Sequence, residues 1–394
     1  MVLPTSLLNI SKYIYIFLLL SILVDIGGGF GIKHTVVILA IVWAGVVVVN
    51  SPIYKSCWLE LFVCAVLCLN VLYSLYIGID IADIFSQSSF IIYFALIFVL
   101  VKIPRSVLLT IFFKTVTVGS LMIIGTLLAM KLYPQVADRF YQIGITSGLG
   151  YFGNRIIGGL SVPVVYYGWS MWLIPALVIT WKNNRFASAL ISVSVLITMS
   201  TSVVVFSIFG LMLLYVKPQV RSIASHKKVA TTILFCFAIL LLGAYTYFDA
   251  EILLNQIVSK FSLGSDSTSQ KIGHIKGAID SVSESFMTLM FGTGVGSEFF
   301  SPGINKFTIN IEPSHFNFLR QYGLLSTIVF FGYIFYVIID TFRTDEAGRT
   351  LSIGLLMLFI AVGTNPLLMS PVFIMVLMIT RAYKVRYCKE ETNG

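Results

Sequence analysis

The chain has 394 residues, of which 58% are hydrophobic and 11% charged, with a mean hydropathy of +0.94. Ordinary soluble domains carry about 25% charge, so this balance excludes a soluble enzyme, a nucleic-acid reader and a disordered scaffold. Lys and Arg total 26 against 17 Asp and Glu, a formal charge of +9, and in an apolar chain the distribution of that excess between loops matters more than its sum.

A helix crossing a hydrocarbon core of roughly 30 Å needs about 20 mostly apolar residues. Twelve such runs follow one another at 10–26, 34–49, 58–77, 88–102, 106–130, 161–181, 186–200, 202–216, 229–248, 321–340, 351–367 and 369–383. Only Met199, Ser200, Thr201 and Ser202 separate the seventh run from the eighth, so one long helix with a break also fits. The first run meets Asp25 and the Gly27 to Gly31 turn without an A-x-A-like site, and reads as a retained anchor. The expectation is an all-α, polytopic membrane protein in which residues 1–394 form a single membrane domain.

Sixteen basic residues, among them Lys55, Lys102, Arg105, Lys182, Arg343, Arg381 and Arg386, fall in one alternating set of connections. By the positive-inside rule that set and both termini are cytoplasmic, which removes support for a nucleic-acid partner. Nine others, Lys33, Lys131, Arg139, Arg155, Lys260, Lys271, Lys276, Lys306 and Arg320, fall on the opposite side, and Lys114 completes the 26 from within the fifth run. Lys114 fits a snorkelling side chain better than a relay group. The five cysteines lie in spans or on the cytoplasmic side, so disulfides in the outer loops are not expected. Cys64 and Cys68, one turn apart with no nearby His, read as packing.

Two connections on the outer side are long, 131–160 and 249–320. In the second, Ile252, Ile257 and Phe261, then Ile272, Ile275, Ala278, Ile279, Val282 and Phe286, recur at helical spacing and predict amphipathic helices on the membrane surface. The run Gly292-Thr293-Gly294-Val295-Gly296 fits a phosphate-cradling loop and a plain turn about equally, because no βαβ unit accompanies it. Glu312 and His315 are three apart, so a helix beginning at Pro313 would turn both to one cavity, with Arg320 near the mouth of the tenth span. Together they would supply a proton acceptor and an anion clamp; a capping Glu312 and an interfacial His315 fit equally well. Outer arginines and lysines run against the orientation bias, and for Arg139, Arg155, Lys271 and Lys276 a phosphate ligand and lipid headgroups are both consistent readings.

This arrangement resembles the superfamily of O-antigen polymerases and O-antigen ligases, bacterial inner-membrane glycan transferases. The family pattern is a G-x-G element in a large periplasmic loop, a His in an E-x-S-H-like stretch, and a Gly-Leu-Leu entering the next span. Here these are Gly292, Gly294 and Gly296, then Glu312, Ser314 and His315, then Gly323 to Leu325. Arg155 and Arg139 match an arginine of the preceding periplasmic loop, and Arg139 with Gly150 resembles an R-x10-G pattern. Ser200-Thr201-Ser202 replaces the Ser-Arg-Gly of ligases, and Phe316 follows the His where ligases have Asn, both of which lean toward polymerase. Lys271 stands where a basic residue, usually Arg, is common early in the large loop.

The resemblance implies a GT-C-like architecture and transfer of a growing glycan from one undecaprenyl-pyrophosphate carrier to the next lipid-linked repeat unit on the periplasmic face. Donor and acceptor would both be lipid-linked oligosaccharides, with a chain-length regulator protein as a further partner and no cofactor. Arg155, Arg139, Arg320, Lys271 and Lys276 would hold the pyrophosphate, and His315, or else Glu312, would accept the proton of the attacking hydroxyl. His is preferred because it titrates near neutral pH unperturbed. No outer carboxylates have metal-ligand spacing, so metal-independent activity is expected. The alternatives are an O-antigen ligase and, from a different class, a polysaccharide exporter or flippase, which would need a polar path through the bundle.

Overall fold

The computed structural model describes residues 5–27, 30–49, 57–157, 160–215, 266–363 and 365–392. The expected ninth span at 229–248 and the part of the large loop bearing Ile252, Ile257 and Phe261 lie outside the described residues. The chain is mostly helical, and among the described residues five helices are long and apolar enough to cross a membrane: Ile32–Val49, Trp58–Tyr76, Ile81–Leu100, Arg105–Leu132 and Ser314–Phe342. Their outer faces carry Ile38, Leu39, Val42, Leu69 and Ile328, each about 60% exposed. Such a surface is a liability in water and a requirement in lipid, so the chain is a multi-pass membrane protein.

In chain order the elements are α1 (Thr5–Val24), α2 (Ile32–Val49), α3 (Trp58–Tyr76), α4 (Ile81–Ser88), a 3-10 stretch Ser89–Leu96, α5 (Ile97–Leu100), α6 (Arg105–Leu132) and α7 (Pro134–Ser147). Next come β1 (Gly150–Ile157), β2 (Leu160–Tyr167), α8 (Leu173–Asn183), α9 (Arg185–Ile197) and α10 (Thr201–Tyr215). The last part holds α11 (Asp266–Val282), α12 (Phe286–Phe291), β3 (Phe299–Ser301), β4 (Lys306–Thr308), α13 (Ser314–Phe342), α14 (Glu346–Val362) and α15 (Pro371–Thr392). The seventh and eighth apolar runs are two helices, parted where Met199 adopts a positive φ of 46°.

Two expectations need correction. The fold is not all-α, because β1 pairs antiparallel with β2, Ile157 opposite Leu160, and β3 pairs antiparallel with β4. The run at 161–181 is not one helix: Leu160–Tyr167 is strand, and the helix starts only at Leu173. Its Val162, Val164, Val165, Tyr166 and Tyr167 are β-branched or aromatic, types that favour a half-buried strand although hydropathy scores them like a span. The ribbon is anchored by Tyr167, whose ring lies 4.8 Å from that of Phe152 and whose hydroxyl is 2.8 Å from Thr126 Oγ1 of α6.

At one end of the bundle, ion pairs join Arg105 to Asp345 at 3.0 Å, Lys182 to Glu346 at 2.8 Å and Lys384 to Asp340 at 3.3 Å. These cations all belong to the basic set assigned to a single face by the charge count. Lys114 is exposed on α6, but the helices are not otherwise free of ionised groups: Arg381 Nε donates to the buried Glu60 at 2.6 Å, and Tyr333 donates to the same oxygen at 2.9 Å. That pair ties α3, α13 and α15 together inside the bundle.

The long helix α13 is broken at Gly323, where φ is 73° and ψ 174°. A Cβ there would strike the backbone of Met290, Phe291 and Gly292, so both the left-handed backbone and the close approach require glycine. Gly323→Ala is expected to cost at least about 1–3 kcal/mol and lower the melting temperature measured in detergent. Gly332→Ala, in the regular part of α13 with open space around it, is expected to leave the melting temperature unchanged or raise it slightly.

Candidate functional site

At the opposite end of the bundle from those ion pairs, α12 stops and the chain turns through Gly292, Gly294 and Gly296, with φ of 82°, 100° and 83°. Four of its five amides are already occupied. Gly292 N–H donates to Thr288 O at 2.8 Å, Thr293 to Arg320 O at 2.7 Å, Val295 to Ser74 Oγ at 2.6 Å and Gly296 to Gln321 Oε1 at 3.0 Å. The glycines therefore make a structural turn wedged between α3, α4 and the break in α13. Of the two readings of this loop, the phosphate cradle lacks the free N–H groups it would need.

Arg320 is fully buried beneath this turn. Nη1 donates to Ser297 O and Oγ, each at 2.9 Å, and to Thr293 Oγ1 at 3.2 Å. Nη2 donates to Ile309 O at 2.8 Å and Asn317 Oδ1 at 3.1 Å, while the guanidinium carbon sits 4.3 Å from the Phe299 ring centroid. A fork committed in this way has little left for a pyrophosphate. The structure places Arg320 in the scaffold of the site.

Glu312 and His315 do not share a cavity. The helix begins at Ser314 with Pro313 at the capping position, so Glu312 precedes it and reaches back to Lys271 Nζ at 3.4 Å. His315, on the first turn, faces α14: its ring centroid is 4.6 Å from that of Phe359 and 5.4 Å from that of Phe331, and its Nε2 is buried without a hydrogen-bond partner. The predicted cap at Glu312 fails because the helix starts one residue later than that reading required.

Lys271 and Glu312, 41 positions apart, do meet, across a cavity of about 370 Å³ lined also by Gln270, His274, Ile304, Asn310, Ile311 and Pro366. Its walls are α11, the β3–β4 ribbon with the segment after it, and the connection between α14 and α15. His274 lies one turn after Lys271, and its Nδ1 is 2.5 Å from Ser301 Oγ. Partial burial lowers its pKa from the ordinary histidine value, and the Glu312 carboxylate opposes that shift. His274 was legible as a neighbour of Lys271 on an amphipathic helix, through the K-x-x-H spacing, but nothing in its vicinity announced Ser301.

The remaining cations are scattered. Lys276 is exposed on α11 outside the cavity lining, Arg139 is exposed on α7, and Arg155 lies on β1 with its backbone opposite Val162. Lys33 is buried, its Nζ donating to Ile26 O at 2.5 Å. Among the described residues no three His, Cys, Asp or Glu side chains gather as metal ligands would. Two other cavities differ in kind: one of about 420 Å³ is apolar apart from Glu60 and Cys64, and one of about 300 Å³ lies beside the Lys182–Glu346 pair. No protein-family model and no curated protein matches the chain.

Removing the Arg320 guanidinium would strand several buried acceptors at once. Arg320→Met is therefore expected to destabilise the protein by at least about 2 kcal/mol, read as a lower melting temperature and reduced yield of folded protein. Arg139→Ala, on an exposed helix face, is expected to leave both unchanged.

Proposed function

We propose that the chain is a bacterial inner-membrane glycan polymerase that joins repeat units carried on undecaprenyl pyrophosphate, acting at the Lys271–Glu312 cavity on the periplasmic side. The observation that carries this reading is the meeting of an ammonium, a carboxylate and an imidazole in one partly open cavity of about 370 Å³, built from the loop that the resemblance marks as the reaction loop. In the twelve-crossing topology with cytoplasmic termini, this cavity lies across the bilayer from the dense basic end.

No sugar nucleotide is present on that side, so the energy of the new glycosidic bond comes from the lipid pyrophosphate. Transfer needs a cation where charge develops on the departing diphosphate, and Lys271 supplies one at the cavity wall. Its pair with Glu312 is half-exposed, worth little in stability and easily exchanged for a phosphate contact. Arg139 and Arg155 serve as further contacts for the carrier, and Arg320 leaves the set of ligands. The proton of the attacking hydroxyl has to be taken up inside the same cavity, which Glu312 borders and His315 does not. The replacement of Ser-Arg-Gly by Ser200-Thr201-Ser202 favours a polymerase over a ligase.

In the parent strain deleted for this chain, the returned wild-type chain is expected to restore a polysaccharide ladder on a gel. Lys271→Ala is expected to shorten or abolish that ladder, whereas Lys131→Ala, an exposed residue at the end of α6, is expected to leave it intact. Equal ladders from both variants would remove Lys271 from the site. A deletion phenotype of bare core, in place of core bearing one repeat, would favour a ligase.

Lysine takes the role that a divalent ion plays in many diphosphate chemistries. Polymerisation by washed membranes is therefore expected to survive EDTA. Loss of activity with EDTA and its return with Mg²⁺ or Mn²⁺ would count against this assignment.

A further inference from the structure

One group in the cavity has a placement that the roles above leave unused. Nδ1 of His274 is engaged by Ser301 Oγ at 2.5 Å, which fixes the ring on the wall formed by α11 and leaves Nε2 for a substrate. Ser301 is itself fully buried on β3, so the contact is held by the ribbon and not by a mobile surface group. Glu312 borders the same cavity and acts on the imidazole electrostatically. An uncharged imidazole with a carboxylate nearby can take a proton and be stabilised once it has done so.

Resting on the reading of this cavity as a glycan-transfer site, we infer that His274 accepts the proton of the attacking sugar hydroxyl at Nε2, with Ser301 positioning the ring and Glu312 stabilising the imidazolium. The acceptor oxygen forms its bond to the anomeric carbon of the donor as the bond from that carbon to the pyrophosphate oxygen breaks. The electron pair of the broken bond leaves on the diphosphate, where Lys271 offsets the charge. The hydroxyl proton moves to His274 and from there to solvent or to the released diphosphate, so no oxidant, reductant or further co-reactant is needed. His315 is excluded from this step by Phe331 and Phe359, which pack against its ring.

The test uses purified full-length protein in nanodiscs, with lipid-linked repeat units extracted from the deletion strain as substrate and undecaprenyl pyrophosphate as a binding probe. His274→Asn, whose amide takes the place of Nδ1 beside Ser301 but cannot act as a base, is expected to polymerise at least about 100-fold more slowly while binding the probe as the wild type does. Ser301→Ala, which keeps the base and loosens it, is expected to slow turnover less and to leave probe binding unchanged. Added imidazole is expected to restore part of the ladder to His274→Ala, a rescue that a merely structural histidine would not show. A wild-type rate from His274→Asn, or a folded, probe-binding His274→Ala that imidazole does not restore, overturns the role of His274 and leaves the transfer reading standing. If the wild-type protein forms no ladder and binds the probe no better than Lys271→Ala, the transfer reading falls and the inference falls with it.

Discussion

The site depends on how one buried guanidinium is satisfied. Arg320 gives up hydration entirely, a cost of several kcal/mol unless its donors find partners; Nε finds none, but Nη1 and Nη2 find theirs on the glycine turn at Thr293 and Ser297, on the segment after β4 at Ile309, and on the same helix at Asn317. The glycine turn and the segment after β4 are thereby both held to the first turns of α13. Since Glu312 lies three residues beyond Ile309, its position above the cavity follows from the same bonds. The opposite wall is set by glycines: a Cβ at Gly273 would strike Gly303, and one at Gly277 would strike the Phe300 carbonyl, so α11 seats closely on the β3–β4 ribbon. That seating brings His274 to Ser301 and Lys271 to Glu312.

A second constraint comes from the bilayer. Polar groups within the apolar bundle must be paired, and Glu60 with Arg381 and Tyr333 meets that need while fixing α3 against α13 and α15. Such a pair adds little net stability compared with well-packed apolar residues. It does penalise any register in which the three helices slide, because sliding would leave charges alone in a medium that cannot hydrate them. The break at Gly323 divides α13 accordingly. Its first turns belong to the loop assembly and the remainder to the bundle.

How much of this was legible in the sequence depends on the dimension in which the information is written. Hydropathy is one-dimensional, so α3 at Trp58–Tyr76 and α6 at Arg105–Leu132 fall within two residues of the runs 58–77 and 106–130. The stretch 160–167 was misread because a strand of Val and Tyr has the same hydropathy as a span, and an apolar run alone does not distinguish them. The amphipathic helix of the large loop was legible from Ile272, Ile275, Ala278, Ile279 and Val282, of which Ala278 and Val282 are buried while Ile272 and Ile279 remain exposed. The partners of Arg320 were not, since positions 293, 297 and 309 share no spacing with 320. The joint orientation of Glu312 and His315 failed on a local detail, the start of α13 at Ser314.

The cations assigned by the charge count to the sparser face show why charge location and charge function have to be argued separately. Each runs against the orientation bias, and each therefore has some compensating reason to be there, but the reasons differ. Lys33 is satisfied by the Ile26 carbonyl and Arg320 by five oxygen acceptors, so both are retained by the fold itself. Arg139 and Lys276 are exposed, and exposure alone does not distinguish a lipid headgroup from a glycan carrier. Lys271 differs from both groups: it is half-buried at a cavity, its carboxylate partner is held loosely at 3.4 Å, and an imidazole stands one turn away. A half-exposed ion pair at a cavity exchanges its carboxylate for another anion at little cost in stability. That physical distinction, rather than a count of charges, sets Lys271 apart from Lys33, Arg139, Lys276 and Arg320.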